Sequence, residues 1–186
     1  PVTMCVNQAD YANAKAVFED DENVTVIEMT TDDAWVRDTG ATWVVNDEGD
    51  KRAVHWHFNA YGGFENGLYF PWDKDEQIAL KMAEMSGCRR YRPESFILEG
   101  GSIHVDGEGT VMTTEIVLLS EGRNPELSKE QIENYLCEYL GVDKVIWIKD
   151  GIDPEETNGH IETWPVSCAR ARWPASGPTM RTTRST

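Results

Sequence analysis

Three short stretches of this chain hold charged and aromatic side chains that a hydrophobic core does not require. The first, Asp32-Asp33-Ala34-Trp35-Val36-Arg37-Asp38-Thr39-Gly40, crowds three Asp, an Arg and a Trp into a turn between two expected strands. The second, Leu98-Glu99-Gly100-Gly101, sets a carboxylate at a strand end ahead of two glycines, which let backbone or ligand approach closely. The third, Glu155-Glu156-Thr157-Asn158-Gly159-His160-Ile161-Glu162, flanks a His with three carboxylates in a loop after a strand. Carboxylates beside a His orient the ring and raise its pKa, which suits general acid or base work near neutral pH. Each stretch alone also reads as an ordinary solvated turn, with an exposed Arg–Asp pair in the first and a solvated His in the third. Taken together, carboxylates, a Trp and a His at strand ends describe a site for an organic cation. The carboxylates supply charge and acceptors that a guanidinium fork matches bidentately, and a Trp face adds cation–π attraction.

Composition agrees with a cationic ligand. The 186 residues carry 33 acidic and 17 basic side chains, a net charge of −16. Nucleic acid is an improbable partner, because its affinity comes mainly from Lys and Arg neutralising phosphates. Seven Trp, six Tyr and five Phe supply enough buriable surface for a folded chain despite the charge. Cys5, Cys88, Cys137 and Cys168 are scattered, with no C-x-x-C pair and no His at ligand spacing, so neither a zinc site nor a disulfide framework is expected. No apolar stretch approaches the roughly 18 residues that a membrane span needs. A reduced, cytoplasmic protein without a membrane partner is the expectation, with a signal peptide before Pro1 left open.

The elements that must position these residues follow from periodicity. Residues 2–7 read as a strand, Ala9 to Phe18 as a helix, and Val24 to Met29 as a buried strand. Ala41–Val45 and Arg52–Phe58 flank the turn NDEGD as a hairpin, and Glu76–Met85 is an amphipathic helix ended by Gly87. Arg89–Pro93 and Ser95–Leu98 resume the extended pattern. The cycle then recurs: Ser102–Val105 and Thr110–Thr113 around DGEG, a helix from the capping box Ser128-x-x-Gln131 to Leu140, and a strand over Val142–Ile148. An order of elements that repeats about every 60 residues predicts α/β modules around a common axis. A doubly wound sheet fits the same order less well, since no glycine-rich phosphate loop joins a strand to a helix.

The motifs TTDDAWVRDTG, FNAYGG, EGGSIHVDGEGTVMTTE, LLSEGRNP, LGVDKVIWI and EETNGHIE, in that order, resemble the agmatine deiminase family, close kin of bacterial peptidylarginine deiminases. The resemblance covers about residues 1–162. It implies a pentein-type α/β propeller of repeated ββαβ modules, about three of five here, around a substrate channel. It further implies that Asp38 holds the guanidinium, that Trp35 lines the channel, and that Glu99 and Glu156 are site acids. His160 would be the general acid/base, and Glu162 would stand where the family has an Asp, its second guanidinium-binding carboxylate. Asp33 and Arg37 would be structural supports. The implied reaction converts agmatine and water to N-carbamoylputrescine and ammonia through a covalent amidino-cysteine, on a route to putrescine, with no metal or organic cofactor. A peptidylarginine deiminase and a non-catalytic cation-binding module are the alternatives, and a homo-oligomeric parent is left open.

This chain departs from the family pattern in four places. Ala41 stands where a Pro is usual, and Tyr61 where a Trp is usual. The family's nucleophilic Cys lies in a glycine-rich segment near its C-terminus, and none of the four cysteines matches it, so no turnover is expected of this chain. Lastly, residues 163–186 contain four Arg, three Pro and no acid, leaving a net charge of −20 on residues 1–162. Choosing codons for Glu162–Gly177 and restoring one base yields an acidic, family-like string beginning Asp-Asn in another frame. The expectation is that 1–162 is a partial pentein domain and 163–186 a disordered, frameshifted tail, both ends being cut; the coding DNA tests it.

Overall fold

The computed structural model describes residues 1–151, Thr157, residues 159–161 and the backbone of Arg181–Thr182. Strands β1 (Val2–Val6) and β2 (Val24–Glu28) pair in parallel across helix α1 (Tyr11–Val17). A one-turn helix, α2 (Val36–Thr39), leads into the antiparallel pair β3 (Thr42–Val45) and β4 (Lys51–Val54). A loop with the single turn α3 (Gly63–Asn66) and helix α4 (Ile78–Met85) return the chain to β5 (Arg90–Tyr91), which lies parallel to β4. The same sequence of events follows: the antiparallel pair β6 (Ile103–Val105) and β7 (Thr110–Thr114), the turn α5 (Glu115–Leu118), helix α6 (Lys129–Leu140), and β8 (Lys144–Ile148) parallel to β7. Two residues from the stretch expected to lack any strand pattern, Arg181–Thr182, form β9 antiparallel to β8; the pairing is made by backbone and needs no side-chain period.

Two units thus share one topology, a hairpin whose second strand is followed by a helix and a parallel third strand. Their first strands begin 61 positions apart, at Thr42 and Ile103. The described sheets have two, three and four strands, and none closes into a barrel. Among the described residues no helix is long and apolar enough to cross a membrane.

Local chemistry explains the best-formed element. Ser128 caps α6 by accepting the Gln131 amide at 3.2 Å, while the Gln131 side chain accepts the Ser128 amide at 2.8 Å; at the far end Gly141 takes the left-handed conformation at φ +67°. Ile132 and Leu136, one turn apart, are fully buried. They pack with Trp56, Phe96, Leu98, Val145 and Trp147 in the main core. The alternate residues of β8, Ile146 and Ile148, face the other way and join Met112 and Ile161 in a second cluster. A strand buried on both faces must be apolar throughout, as KVIWI is after its first residue.

Three expected elements differ, and of these the extended run over Ser95–Leu98 survives only as the bridge residue Ile97. The strand foreseen over Arg52–Phe58 stops at Val54 and resumes only as an isolated bridge between His57 and Ile97. The Phe58 amide is taken by the Glu76 side chain at 2.7 Å, so it is not available to a regular ladder. The Asp32–Gly40 turn is partly helical, because the Trp35 carbonyl accepts the amides of Asp38 and Thr39 at 3.0 and 3.1 Å.

Candidate active site

Asp38, the third residue of α2, points its carboxylate into the protein and is 6% exposed. Both of its oxygens are held. Oδ1 accepts the Gly101 amide at 2.9 Å, and Oδ2 accepts the Tyr61 hydroxyl at 2.8 Å. Tyr61 reaches that position through an unusual backbone: Ala60, Tyr61, Gly62 and Gly63 all have positive φ, at +54°, +70°, +147° and +60°. For the two residues with a Cβ this costs on the order of 1 kcal/mol each. The surroundings enforce it, with Asn59 accepting the Gly62 amide on its side chain and the Gly63 amide on its carbonyl, while donating to the Gly122 carbonyl at 2.7 Å. Burial, reinforced by the neighbouring Asp38 carboxylate, pushes the Tyr61 phenol far above its ordinary range, so it stays a donor.

Glu99 is extended and opens the turn Gly100–Ser102, four residues before β6 begins, just as Asp38 stands four residues before β3. Gly100 is needed for proximity: a Cβ there would lie 2.1 Å from the Arg37 carbonyl oxygen. The Glu99 side chain is fully buried. Burial alone would raise its pKa; the Arg123 guanidinium and His160 together outweigh that and hold it down at about 2. Arg123, itself buried, donates Nε to both Glu99 oxygens at 3.0 and 3.2 Å and Nη2 to the Thr157 carbonyl at 3.1 Å.

His160 completes the cluster. Its Nδ1 lies 3.7 Å from Asp38 Oδ1 and its Nε2 lies 3.6 Å from Glu99 Oε2, so an acid faces each ring nitrogen. The ring centroid is 5.8 Å from that of Tyr61. Three contacts set the backbone here: the His160 amide donates to Thr157 Oγ1 at 3.2 Å, Thr114 donates to the Gly159 carbonyl at 2.9 Å, and Ile161 is packed beneath β7 and β8.

Of the residues singled out from sequence, Asp38, Glu99 and His160 meet. Trp35 sits at the start of α2, 61% exposed and outside the buried cluster, while Glu156 and Glu162 lie outside the described residues. The same turn is fastened through its main chain: the amides of Asp32 and Asp33 donate to the buried Asp75, and the Arg37 carbonyl packs on Gly100. Sequence reasoning assigned no role to Arg123, although it stands in the quoted LLSEGRNP motif, or to the Tyr61 hydroxyl. Cys5 lies in β1, Cys88 just past α4 and Cys137 in α6, and burial raises the thiols of Cys5 and Cys137. Among the described residues no three His, Cys, Asp or Glu side chains are grouped so as to hold a metal.

The fold and the site define an α/β protein of repeated ββαβ units whose paired acids and imidazole converge in the interior. Residues 1–172 match the family described as Porphyromonas-type peptidyl-arginine deiminase, and the chain belongs to that family. It is 56% identical over 164 residues to the agmatine deiminase of Ectopseudomonas mendocina, and 58% identical over 162 residues to putative agmatine deiminase 1 of Listeria monocytogenes. These alignments cover 88% and 87% of this chain but 44% of each relative, so the chain spans less than half the length of the curated relatives it matches. Among solved structures, an agmatine deiminase of Enterococcus faecalis described as catalysing its reaction superposes with a TM-score of 0.83 at 55% identity, over 87% of this chain and 44% of that one. A C. jejuni agmatine deiminase with substrate bound gives 0.73 at 34% identity, over 86% and 46%.

Proposed function

We propose that this chain is the guanidinium-recognising part of an agmatine deiminase. One observation carries the reading: an imidazole held in the interior with a carboxylate at 3.6–3.7 Å from each ring nitrogen. That arrangement suits a planar cation that must be gripped and then given and relieved of protons. The 55–58% identity to relatives named as agmatine deiminases, or putatively so, supports agmatine over a peptidyl-arginine substrate.

In this reading Asp38 binds the guanidinium through lone pairs left after Tyr61 and Gly101 are served, since each carboxylate oxygen has two. Glu99 stands beside the reacting carbon, Glu156 and Glu162 complete the acidic wall, and Trp35 lines the entrance. A propeller arrangement of the ββαβ units would gather these residues at a central channel. A Cys thiolate attacks the guanidinium carbon, a C–S bond forms, and a C–N bond breaks as ammonia leaves with a proton from His160. Water then adds to the amidino carbon, giving its proton to His160, and the C–S bond breaks to release N-carbamoylputrescine and the thiolate. Holding the cation's plane for attack supplies much of the catalysis.

Burial raises the thiols of Cys5 and Cys137, whereas attack needs a lowered pKa, and Cys88 turns its Sγ to the Ser86 carbonyl at 3.5 Å, while Cys168 lies outside the described residues. The 186-residue chain is therefore expected to bind agmatine without turning it over. Colorimetric detection of ureido product, with agmatine and a peptide ending in arginine offered in parallel, tests this against a longer, frame-restored form. Product from the 186-residue chain would refute the missing nucleophile. Failure of the longer form to use agmatine, or its preference for the peptide, would overturn the assignment. Calorimetry on this chain should show agmatine binding that Asp38→Asn weakens at least roughly tenfold, the value of one charged hydrogen bond.

A further inference from the structure

A buried arginine beside a site for a guanidinium is paradoxical, since it brings a like charge to the place where the ligand's charge must go. Its contacts resolve the paradox. Arg123 turns Nε toward both Glu99 oxygens and Nη2 toward the Thr157 carbonyl, while Nη1 has no hydrogen-bond partner among the described residues. We propose that Arg123 is a positioning residue that keeps Glu99 ionised and ties it to the segment bearing His160, so that acid and imidazole are set as one unit.

Three observations carry this, together with the reading of Asp38, Glu99 and His160 as the guanidinium site. A carboxylate with no exposure takes up a proton unless a cation compensates it, and Arg123 is the permanent cation paired with Glu99. Thr157, held through its carbonyl by Arg123, in turn holds the His160 amide through its hydroxyl at 3.2 Å, so the tie reaches the catalytic residue in two steps. Arg123 is itself seated: its amide donates to Ser120, and the next residue, Asn124, clamps Ile97 by accepting its amide and donating to its carbonyl, both at 3.0 Å, just ahead of Glu99. The rigid guanidinium fork serves the two partners from separate nitrogens, Nε and Nη2, whereas a Lys gathers all its donors on one nitrogen and does not span both positions.

The two functions of Arg123 separate in two variants of the 186-residue chain, read without ligand. Titrating the Glu99 carboxyl by carbon-13 NMR, assigned through Glu99→Gln, should place its midpoint far below the ordinary range in the parent. In Arg123→Met it should rise by roughly two units or more, as for a buried acid stripped of its cation. Arg123→Lys, which keeps the charge and is the variant expected to fold in any case, should hold the midpoint low. There the His160 amide should exchange with solvent at least tenfold faster, because the Thr157 tie is lost. An unmoved midpoint in Arg123→Met, or parent-like exchange at His160 in Arg123→Lys, would overturn the proposal. Agmatine calorimetry on the parent reports separately on the functional reading: absence of binding there would defeat that reading and leave the coupling result standing.

Discussion

Glu99 is sealed from water and yet ionised, and that combination makes the protein sensitive to acid. Its folded pKa of about 2 lies below the ordinary 4.5, so the stabilisation it brings is present in full above about pH 4.5 and is lost as pH falls through 2. At 1.36 kcal/mol per unit, the pH-dependent part amounts to roughly 3 kcal/mol. Glu99→Gln should therefore show a flatter decline of urea midpoint between pH 4.5 and 2. At pH 7 it should be less stable by about 3–5 kcal/mol, because Arg123 is left buried without its counter-charge. An unchanged acid limb would mean that Glu99 is not the titrating group. The sequence made Glu99 and His160 conspicuous because each stands beside glycine in a polar turn where a core gains nothing from charge. It could not expose Arg123, whose meaning depends on a partner 24 residues away in the chain and in direct contact in space. Tyr61 was hidden for a related reason: an aromatic near glycines reads as packing, and only the fold shows its hydroxyl on Asp38.

At the scale of elements, local signals were legible and spatial ones were not. The capping box of α6 and the two hairpin turns are written in adjacent residues, and each appears where its residues stand. The turns α2 and α5 have four residues each, too short for any 3.6-residue period to show, and depend on the elements around them. Gly100 gives this a measurable form. Gly100→Ala should push α2 away from the Gly100–Ser102 turn, since its methyl would sit 2.1 Å from the Arg37 oxygen, and with it separate Asp38 from the Gly101 amide. The expected result is a drop in agmatine affinity of at least roughly tenfold, the scale of one lost charged hydrogen bond. Ser128→Ala is the control: it should cost about 1 kcal/mol of stability by removing the α6 cap and leave affinity unchanged. Equal affinity in Gly100→Ala and Ser128→Ala would show that this close approach does not govern the site.

At the scale of the molecule, the described residues leave apolar surface exposed. Phe64 and Phe70 are 85% and 71% exposed, and with Trp72 they form a cluster whose ring centroids lie 5.2–5.6 Å apart. Exposed aromatics gathered in one place favour self-association. Phe64→Ser with Phe70→Ser should lower the concentration-dependent light scattering of the chain while its far-UV circular dichroism stays the same; scattering that persists would place the adhesive surface elsewhere. What was legible at this scale was the recurrence of about 60 residues, and it bears on how the site arose. Asp38, Glu99 and His160 are numbered 61 apart, and the two acids keep a glycine two positions on, Gly40 and Gly101. Duplication of an ancestral segment would have delivered one identical residue to every copy at this address. Divergence at that one address would then be enough to set two acids and an imidazole together without any new backbone.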